Sequence, residues 1–338
     1  MRGWKFWVGM VIGVAALAYF SRDLDLPALA ESWRRIHPLR YLEGIFWFCF
    51  SFWLRCPRWK ILVGGLGEVP FGLLTKAFFV GMLVNRILPA RLGEVARCVL
   101  IKKGRMISLV GLLTTVAVEK AFDGLALLSV SLIALASLPP GDLPSGIGEF
   151  MANHRNKVVL GALGLPLVLV LVSWSLPWIE ARFHRFREHA WHGHFNRTLN
   201  SVFEGLRVMR RGQESLGASL LTVLVWAILA RSAYCAILSF GWDLPPSSGF
   251  VLCAAIGLAV AVPQAPSFVG VYQVAVQWTL VGLYSVPLQE AKAFAVAIWA
   301  MQIIPVGIIG FVCLRLMGTT LREATHPGED VRRPQTTS

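Results

Sequence analysis

Two Pro-x-x-x-Gly breaks interrupt apolar stretches that would otherwise run as continuous helices: Pro89-Ala-Arg-Leu-Gly93 and Pro266-Ser-Phe-Val-Gly270. Proline removes a backbone donor and glycine frees the chain to turn, so a helix cannot pass through either pentapeptide undisturbed. Their surroundings are long apolar runs of the kind that cross a bilayer. Broken backbone at that depth persists only where protein buries it or where it lines a watery cavity. Two such breaks at corresponding places in two halves of a chain point to a binding site near the membrane midplane.

The composition supports a membrane setting. Hydrophobic residues make up 56% of the 338 and charged residues only 15%, against roughly 25% charge in soluble domains, and the mean hydropathy is +0.62. Apolar runs recur at roughly 4–20, 41–63, 108–138, 157–178, 215–240 and 288–316. Two further stretches, 72–104 and 248–284, contain the breaks. The expected fold is an all-α integral membrane protein of about eight membrane-embedded elements, at ~20 residues per span. The expected layout is a single domain over 1–320, with a first half at 1–140, a second half at 157–316 and a basic connector at 180–213 joining them. Residues 321–338 read as a disordered tail. Residues 1–30 have the positive start, apolar core and Ala28-Leu-Ala30 of a signal peptide, but read better as an uncleaved first span.

The net charge of +13 lies in short stretches between apolar runs, without a basic-aromatic reading module, which argues against nucleic acid. It fits positive-inside topology. The clusters Arg97–Arg105 and Arg182–Arg211 go to the cytoplasm, as do Arg55, Arg58 and Lys60 at the end of the second span. The segments 139–150 and 241–249, rich in proline and carrying acids, go outside. Both termini then lie inside a multi-pass protein of the cytoplasmic (inner) membrane. The first broken stretch starts and ends inside and the second starts and ends outside. The span–hairpin–span unit 41–138 is therefore inverted relative to 215–316, an inverted-topology repeat with two broken or re-entrant helical hairpins.

Three groups of residues carry candidate chemistry. Asn85, Arg86, Arg91, Glu94 and Arg97 surround the first break, whose structural residues are Pro89 and Gly93. Arginine forks and helix N-terminal amides suit a phosphate; the alternative is that the arginines are cytoplasmic loop charges. Glu119, Lys120 and Asp123 lie inside the span 108–138, where ionisable residues are costly and face the interior. Glu119 and Asp123 share one face, and Lys120 could pair with either. They are counter-charges to the arginines, coupling acids, or a structural salt bridge. The second break has Pro263, Gln264, Pro266, Ser267, Gly270, Tyr272 and Gln273, followed by Gln277. It mirrors the first without charge, and its polar groups suit a headgroup, freed backbone or helix packing. Arg231, deep in 215–240, needs a partner such as Glu119 or a lipid phosphate. The six cysteines read as small buried hydrophobes. His184, His189, His192 and His194 lack zinc-site spacing. No P-loop, nucleophile elbow or dinucleotide fingerprint occurs, so no catalytic residue, metal or cofactor is expected.

Asn85-Arg-x-x-Pro89-x-Arg91-x-Gly93-Glu94-x-x-Arg97, Glu119-Lys-x-x-Asp123 and Pro263-x-x-Pro266-x-x-x-Gly270-Val-Tyr-Gln, in this order, resemble the transmembrane domain of the lysylphosphatidylglycerol synthase/flippase family. The resemblance covers nearly the whole chain. It implies translocation of a membrane phospholipid or a polyprenyl-phosphate-linked lipid. It does not imply aminoacyl transfer, since the chain has no room for the soluble domain that some members carry. A homodimer and a separate synthase partner are both open, as is a membrane enzyme or accessory factor of lipid-linked sugar or aminoacyl-lipid metabolism. Two departures bear on cargo: Ser267-Phe268 replaces a frequent Gly-Gly, and Gln273 replaces a frequent acid.

Overall fold

A computed structural model describes residues 4–88, 92–103, 105–143, 146–165, 168, 171, 212–261 and 266–320. The regular elements among them are all helical: α1 (Trp4–Ser21), α2 (Leu26–Arg34), α3 (Pro38–Val63), α4 (Phe71–Ile87), α5 (Gly93–Lys102), α6 (Leu109–Ser137), α7 (146–165), α8 (Gly212–Ser239), α9 (Ser247–Ala261), α10 (Val271–Tyr284) and α11 (Leu288–Leu316). Short 3-10 turns occupy Pro140–Asp142 and Pro266–Phe268. The stretch from Gln213 within α8, and α11, are long and apolar enough to cross a membrane.

Long helices form the frame. α3 and α8 run antiparallel: Ser232 Oγ donates to the Gly44 carbonyl at 2.8 Å near one end, and Arg58 reaches Thr222 at 3.0 Å near the other. α6 is antiparallel to α3, with Trp59 facing Thr115 and Arg55 facing Asp123. α11 runs with α3, where the Tyr41 hydroxyl donates to the Ala297 carbonyl at 2.8 Å. Two apolar cores divide this frame. One gathers Trp59, Leu62, Phe78, Ile101 and Phe122 from α3 to α6, with Val306 and Leu314 from the end of α11. The other gathers Phe20, Ile237, Leu252, Val276, Phe294 and Ile298 from α1 and α8 to α11.

The two broken stretches are helical hairpins, α4/α5 and α9/α10, and connectivity sends them in from opposite ends. α4 starts seven residues' length past the end of α3, and α9 follows the end of α8, which is antiparallel to α3. The arms have 17, 10, 15 and 14 residues, or about 25, 15, 22 and 21 Å at 1.5 Å per residue. None reaches ~30 Å of hydrocarbon by itself.

The first hairpin closes through glycine. A Cβ on Gly93 would stand 1.9 Å from the Gly81 carbonyl oxygen and 2.7 Å from Asn85 Oδ1, so only hydrogen lets α5 lie against α4. The second hairpin is strained at its bend. Ser267, Phe268 and Gly270 have φ of 56°, 60° and 92°. The two non-glycine residues there cost of order 1–3 kcal/mol each. α1 packs on that bend, where a Gly270 Cβ would lie 2.3 Å from the Gly13 carbonyl oxygen.

Some boundaries differ from the sequence reading. α2 was not anticipated; Asp25 caps it by accepting from the Ala28 amide at 3.1 Å, and Pro27 sits in its first turn, where its missing donor costs nothing. Within the segment 139–150 a 3-10 turn occupies Pro140–Asp142 and helix is present from 146. The six cysteines are free and five are buried, as small hydrophobes. Of the connector 180–213, residues 180–211 with its histidines lie outside the described residues, as does the tail 321–338, while 212–213 already belong to α8.

Gly93→Ala is expected to lower the thermal unfolding midpoint of the detergent-purified protein by several degrees or abolish folding. Gly124→Ala is the comparison: it lies in α6 with nothing within 4 Å of its Cβ position, and is expected to be neutral or stabilising by about 0.5–1 kcal/mol. Equal midpoints for the two variants would contradict the close approach.

Candidate functional site

A helix break exposes backbone groups at both of its ends, because the last four carbonyls and first four amides of each arm lack helical partners. Far from water these groups must find others. At the first break Asn85, in the last turn of α4, turns its Oδ1 onto the Gly93 amide at 2.7 Å. At the second, Gln273 turns its Oε1 back onto the Gly270 amide at 2.8 Å. Each break thus carries its own side-chain cap.

The remaining groups are satisfied across the molecule. The Ser267 hydroxyl donates to the Arg86 carbonyl at 2.9 Å, joining the second break to the first. Trp299 Nε1 donates to the Ser267 carbonyl at 3.0 Å. Arg86 Nη2 donates to the Gln302 carbonyl at 3.2 Å. Trp299 and Gln302 both belong to α11, within two turns before Pro305. Proline inside a helix removes a bond and opens the turn before it, which leaves carbonyls such as that of Gln302 within reach. The two hairpin tips and α11 therefore meet at one polar junction. It holds two unmet buried atoms: Arg86 Nε, and the hydroxyl of Tyr272, a residue only 3% exposed.

A second polar group is built from charges. Arg58 of α3, fully buried, donates to Asp123 Oδ1 at 2.8 Å, to Glu119 Oε1 at 3.2 Å and to Thr222 Oγ1 at 3.0 Å. Arg97 of α5, also fully buried, donates to Glu119 Oε2 at 2.8 Å. Its guanidinium lies 4.3 Å from the Trp59 ring centroid and 5.3 Å from that of Phe78, a cation–π sandwich. Arg55 adds a contact to Asp123 at 3.4 Å. Three arginines face two carboxylates, so each acid is shared between two cations. The group ties α3, α5, α6 and α8 together.

Several sequence expectations are corrected here. Arg55 and Arg58 do not extend to the cytoplasm with Lys60. They lie three apart on one face of α3, and that face meets Glu119 and Asp123. Lys120 does not pair with Glu119 or Asp123 but with Glu94 of α5 at 2.7 Å, since the arginines already occupy the acids. Arg231 is not paired with Glu119. It meets Glu43 of α3 at 2.5 Å, with Arg40 and Trp47 also on that carboxylate, because antiparallel α3 and α8 bring 43 beside 231. Glu43 was missed. Its place one turn inside an apolar helix, facing a lone arginine in another, was the available signal. Lys292, also missed, is 2% exposed on α11 and donates to the Arg22 carbonyl just past the end of α1.

The structure thus brings Arg86, Ser267 and Tyr272 to the junction, with Asn85, Gly93, Pro266, Gly270 and Gln273 shaping it. It places Arg97, Glu119 and Asp123 in the charge group and Glu94 with Lys120 beside it. Gln277 is buried with an unmet Oε1. Pro89, Arg91, Pro263 and Gln264 lie outside the described residues.

Residues 6–310 match the family described as the lysylphosphatidylglycerol synthase TM region, and the chain belongs to that family of membrane proteins. Among curated proteins it is similar to glycosyltransferase AglD of Haloferax volcanii, 24% identical over 351 residues that cover 96% of this chain and 56% of the relative. The chain thus corresponds to little more than half of that protein's length. No solved structure matches.

Removing one partner of a buried ion pair strands the other and costs about 3–5 kcal/mol, whereas an exposed pair contributes about 0–1 kcal/mol. Glu119→Ala, which strands both Arg58 and Arg97, is expected to abolish accumulation of folded protein or to lower its unfolding midpoint sharply. Arg35→Ala, which removes an exposed pair with Glu31 on α2, is expected to leave the midpoint within about a degree or two. Size-exclusion profiles and thermal melts in detergent compare them; a mild Glu119→Ala variant would mean that the cluster is not packed dry.

Proposed function

We propose that this chain moves a phospholipid or lipid-linked intermediate across the cytoplasmic membrane, with the meeting point of its two helix breaks as the cargo site. The observation that carries the reading is the Ser267–Arg86 hydrogen bond at 2.9 Å, which joins two bends beside an arginine and a tyrosine with unmet polar atoms. Irregular backbone at the centre of a bundle, entered by hairpins from opposite ends, suits a headgroup site reached alternately from each face.

In this reading α3–α4/α5–α6 and α8–α9/α10–α11 are inverted repeats, and both hairpins are re-entrant because no arm is long enough to span. The basic stretches set both termini on the cytoplasmic side. The headgroup enters between the hairpin tips while the acyl or prenyl tails stay in lipid. Arg86 supplies the cation at that point, with Ser267 and Tyr272 beside it. Arg97, Glu119 and Asp123, with Arg58, serve as the rigid frame rather than as cargo ligands, since their charges are spent on one another. The strained bend at Ser267–Phe268 is the element poised to move, because strain held in this state lowers the cost of leaving it.

A second reading follows from the name of the Haloferax relative: a part in glycosyl transfer to a lipid phosphate. It would still use the junction to hold a lipid phosphate, but would require a sugar donor. Turnover of a nucleotide sugar and a polyprenyl phosphate by the purified chain would favour it.

Reconstituted vesicles with headgroup-labelled phosphatidylglycerol test the transport reading. The expected result is protein-dependent loss of sidedness, reduced at least about tenfold by Arg86→Ala at equal folded yield and unchanged by Arg35→Ala. Sidedness that decays no faster than in empty vesicles, with labelled polyprenyl phosphate as well, overturns it.

A further inference from the structure

The junction differs in charge from the cluster that ties the frame together. From Met82 to Gly93 and from Ala259 to Tyr284 the sequence contains no aspartate or glutamate, and the facing stretch of α11, Ala295 to Gly310, contains none. These three stretches are therefore free of carboxylate; next along the chain come Glu94, which pairs with Lys120, and Glu290 in the first turn of α11. The cation among the described residues at this point is Arg86. Its Nη2 reaches only the neutral Gln302 carbonyl, and its Nε is buried without a partner. Tyr272, two residues past the Gly270 bend, is buried with its own hydroxyl unmet.

A guanidinium withdrawn from water without a counter-charge is unfavourable. Arg58 and Arg97 meet that cost with Glu119 and Asp123, and the partly exposed Arg231 with Glu43, while Lys292, 2% exposed, meets the Arg22 carbonyl. At Arg86 the counter-charge is left to come from outside. A phosphate oxygen fits the chemistry, because guanidinium N–H groups and a phenolic O–H are all donors to it. An ammonium does not fit. It would meet Arg86 with no acid to receive it, since the amide oxygen of Gln273 is engaged by the Gly270 amide and the unmet Gln277 Oε1 carries no charge.

Resting on the junction as the cargo site, we infer that it selects a lipid-borne phosphate whose headgroup carries no cation, a hydroxyl-bearing phosphodiester or a polyprenyl phosphate, and disfavours amine-bearing and aminoacylated headgroups. Specificity here comes as much from the missing carboxylate as from the arginine, since an unpaired like charge in low dielectric excludes the wrong ligand.

The test is lipid binding by the full-length chain in detergent, followed by native mass spectrometry. The probes are phosphatidylglycerol, undecaprenyl phosphate, phosphatidylethanolamine and lysyl-phosphatidylglycerol. The expected result is that one or both of the first two bind at least about tenfold tighter than the last two, about 1.4 kcal/mol. Arg86→Gln should erase the preference and Arg86→Lys should keep part of it. The comparison of the first two shows whether a phospholipid or a prenyl phosphate is the source of the anion. Lysyl-phosphatidylglycerol or phosphatidylethanolamine binding as tightly as both anionic probes, a preference that survives Arg86→Gln, or no binding of any probe overturns the inference. Should Arg86→Gln fail to fold, the headgroup series on the unaltered protein still decides. Selective binding without movement in vesicles would overturn the transport reading and leave this inference standing.

Discussion

The Arg86 carbonyl lies in the last turn of a helix that breaks off, and the donor it finds organises the centre of this molecule. Two helices break off there, and the amides and carbonyls at their ends lack helical partners. Asn85 and Gln273 cap the amides from within each hairpin, and Ser267 answers the Arg86 carbonyl from the opposite hairpin. Trp299 and Gln302 bind both tips from α11. A break in one half is thus completed by the other half, so neither hairpin tip is stable in this arrangement without its counterpart.

Around that junction the frame is held by charge and by close packing. The Arg58–Glu119–Asp123–Arg97 group joins four helices with no exposed arginine, and Gly93 lets α5 close on α4 with no side chain between them. Buried ion groups of this kind add little net stability against an apolar alternative, but lose much when broken. Their effect here is to fix which faces of α3, α5, α6 and α8 meet. The first hairpin is therefore the better anchored of the two. The second rests on α1 through Gly270 and carries its bend in left-handed backbone at Ser267 and Phe268.

Much of this was legible in the chain. Proline and glycine mark both breaks whatever surrounds them, because their effects on φ and on the amide donor are local. The apolar runs gave the helices at 4–20, 108–138 and 288–316 nearly to the residue, because ~20 apolar residues in a row admit few alternatives. Glu119 and Asp123 were recognisable as inward-facing, since charge within an apolar helix has nowhere else to go. α2 was not legible: nine residues of mixed polarity carry too weak a periodic signal, and its cap, Asp25, is one of many acids near a turn.

The sequence by itself determined that the chain is helical, where its helices break and that ionisable groups lie within them, because these follow from residue type and spacing along one segment. Only the tertiary structure decided who pairs with whom: Arg58 rather than Lys120 with Glu119 and Asp123, Glu43 rather than Glu119 with Arg231, and Ser267 with the Arg86 carbonyl. These contacts join residues 61 to 188 positions apart. Which face of one helix meets which face of another is set by packing the whole bundle at once, and no local pattern encodes it.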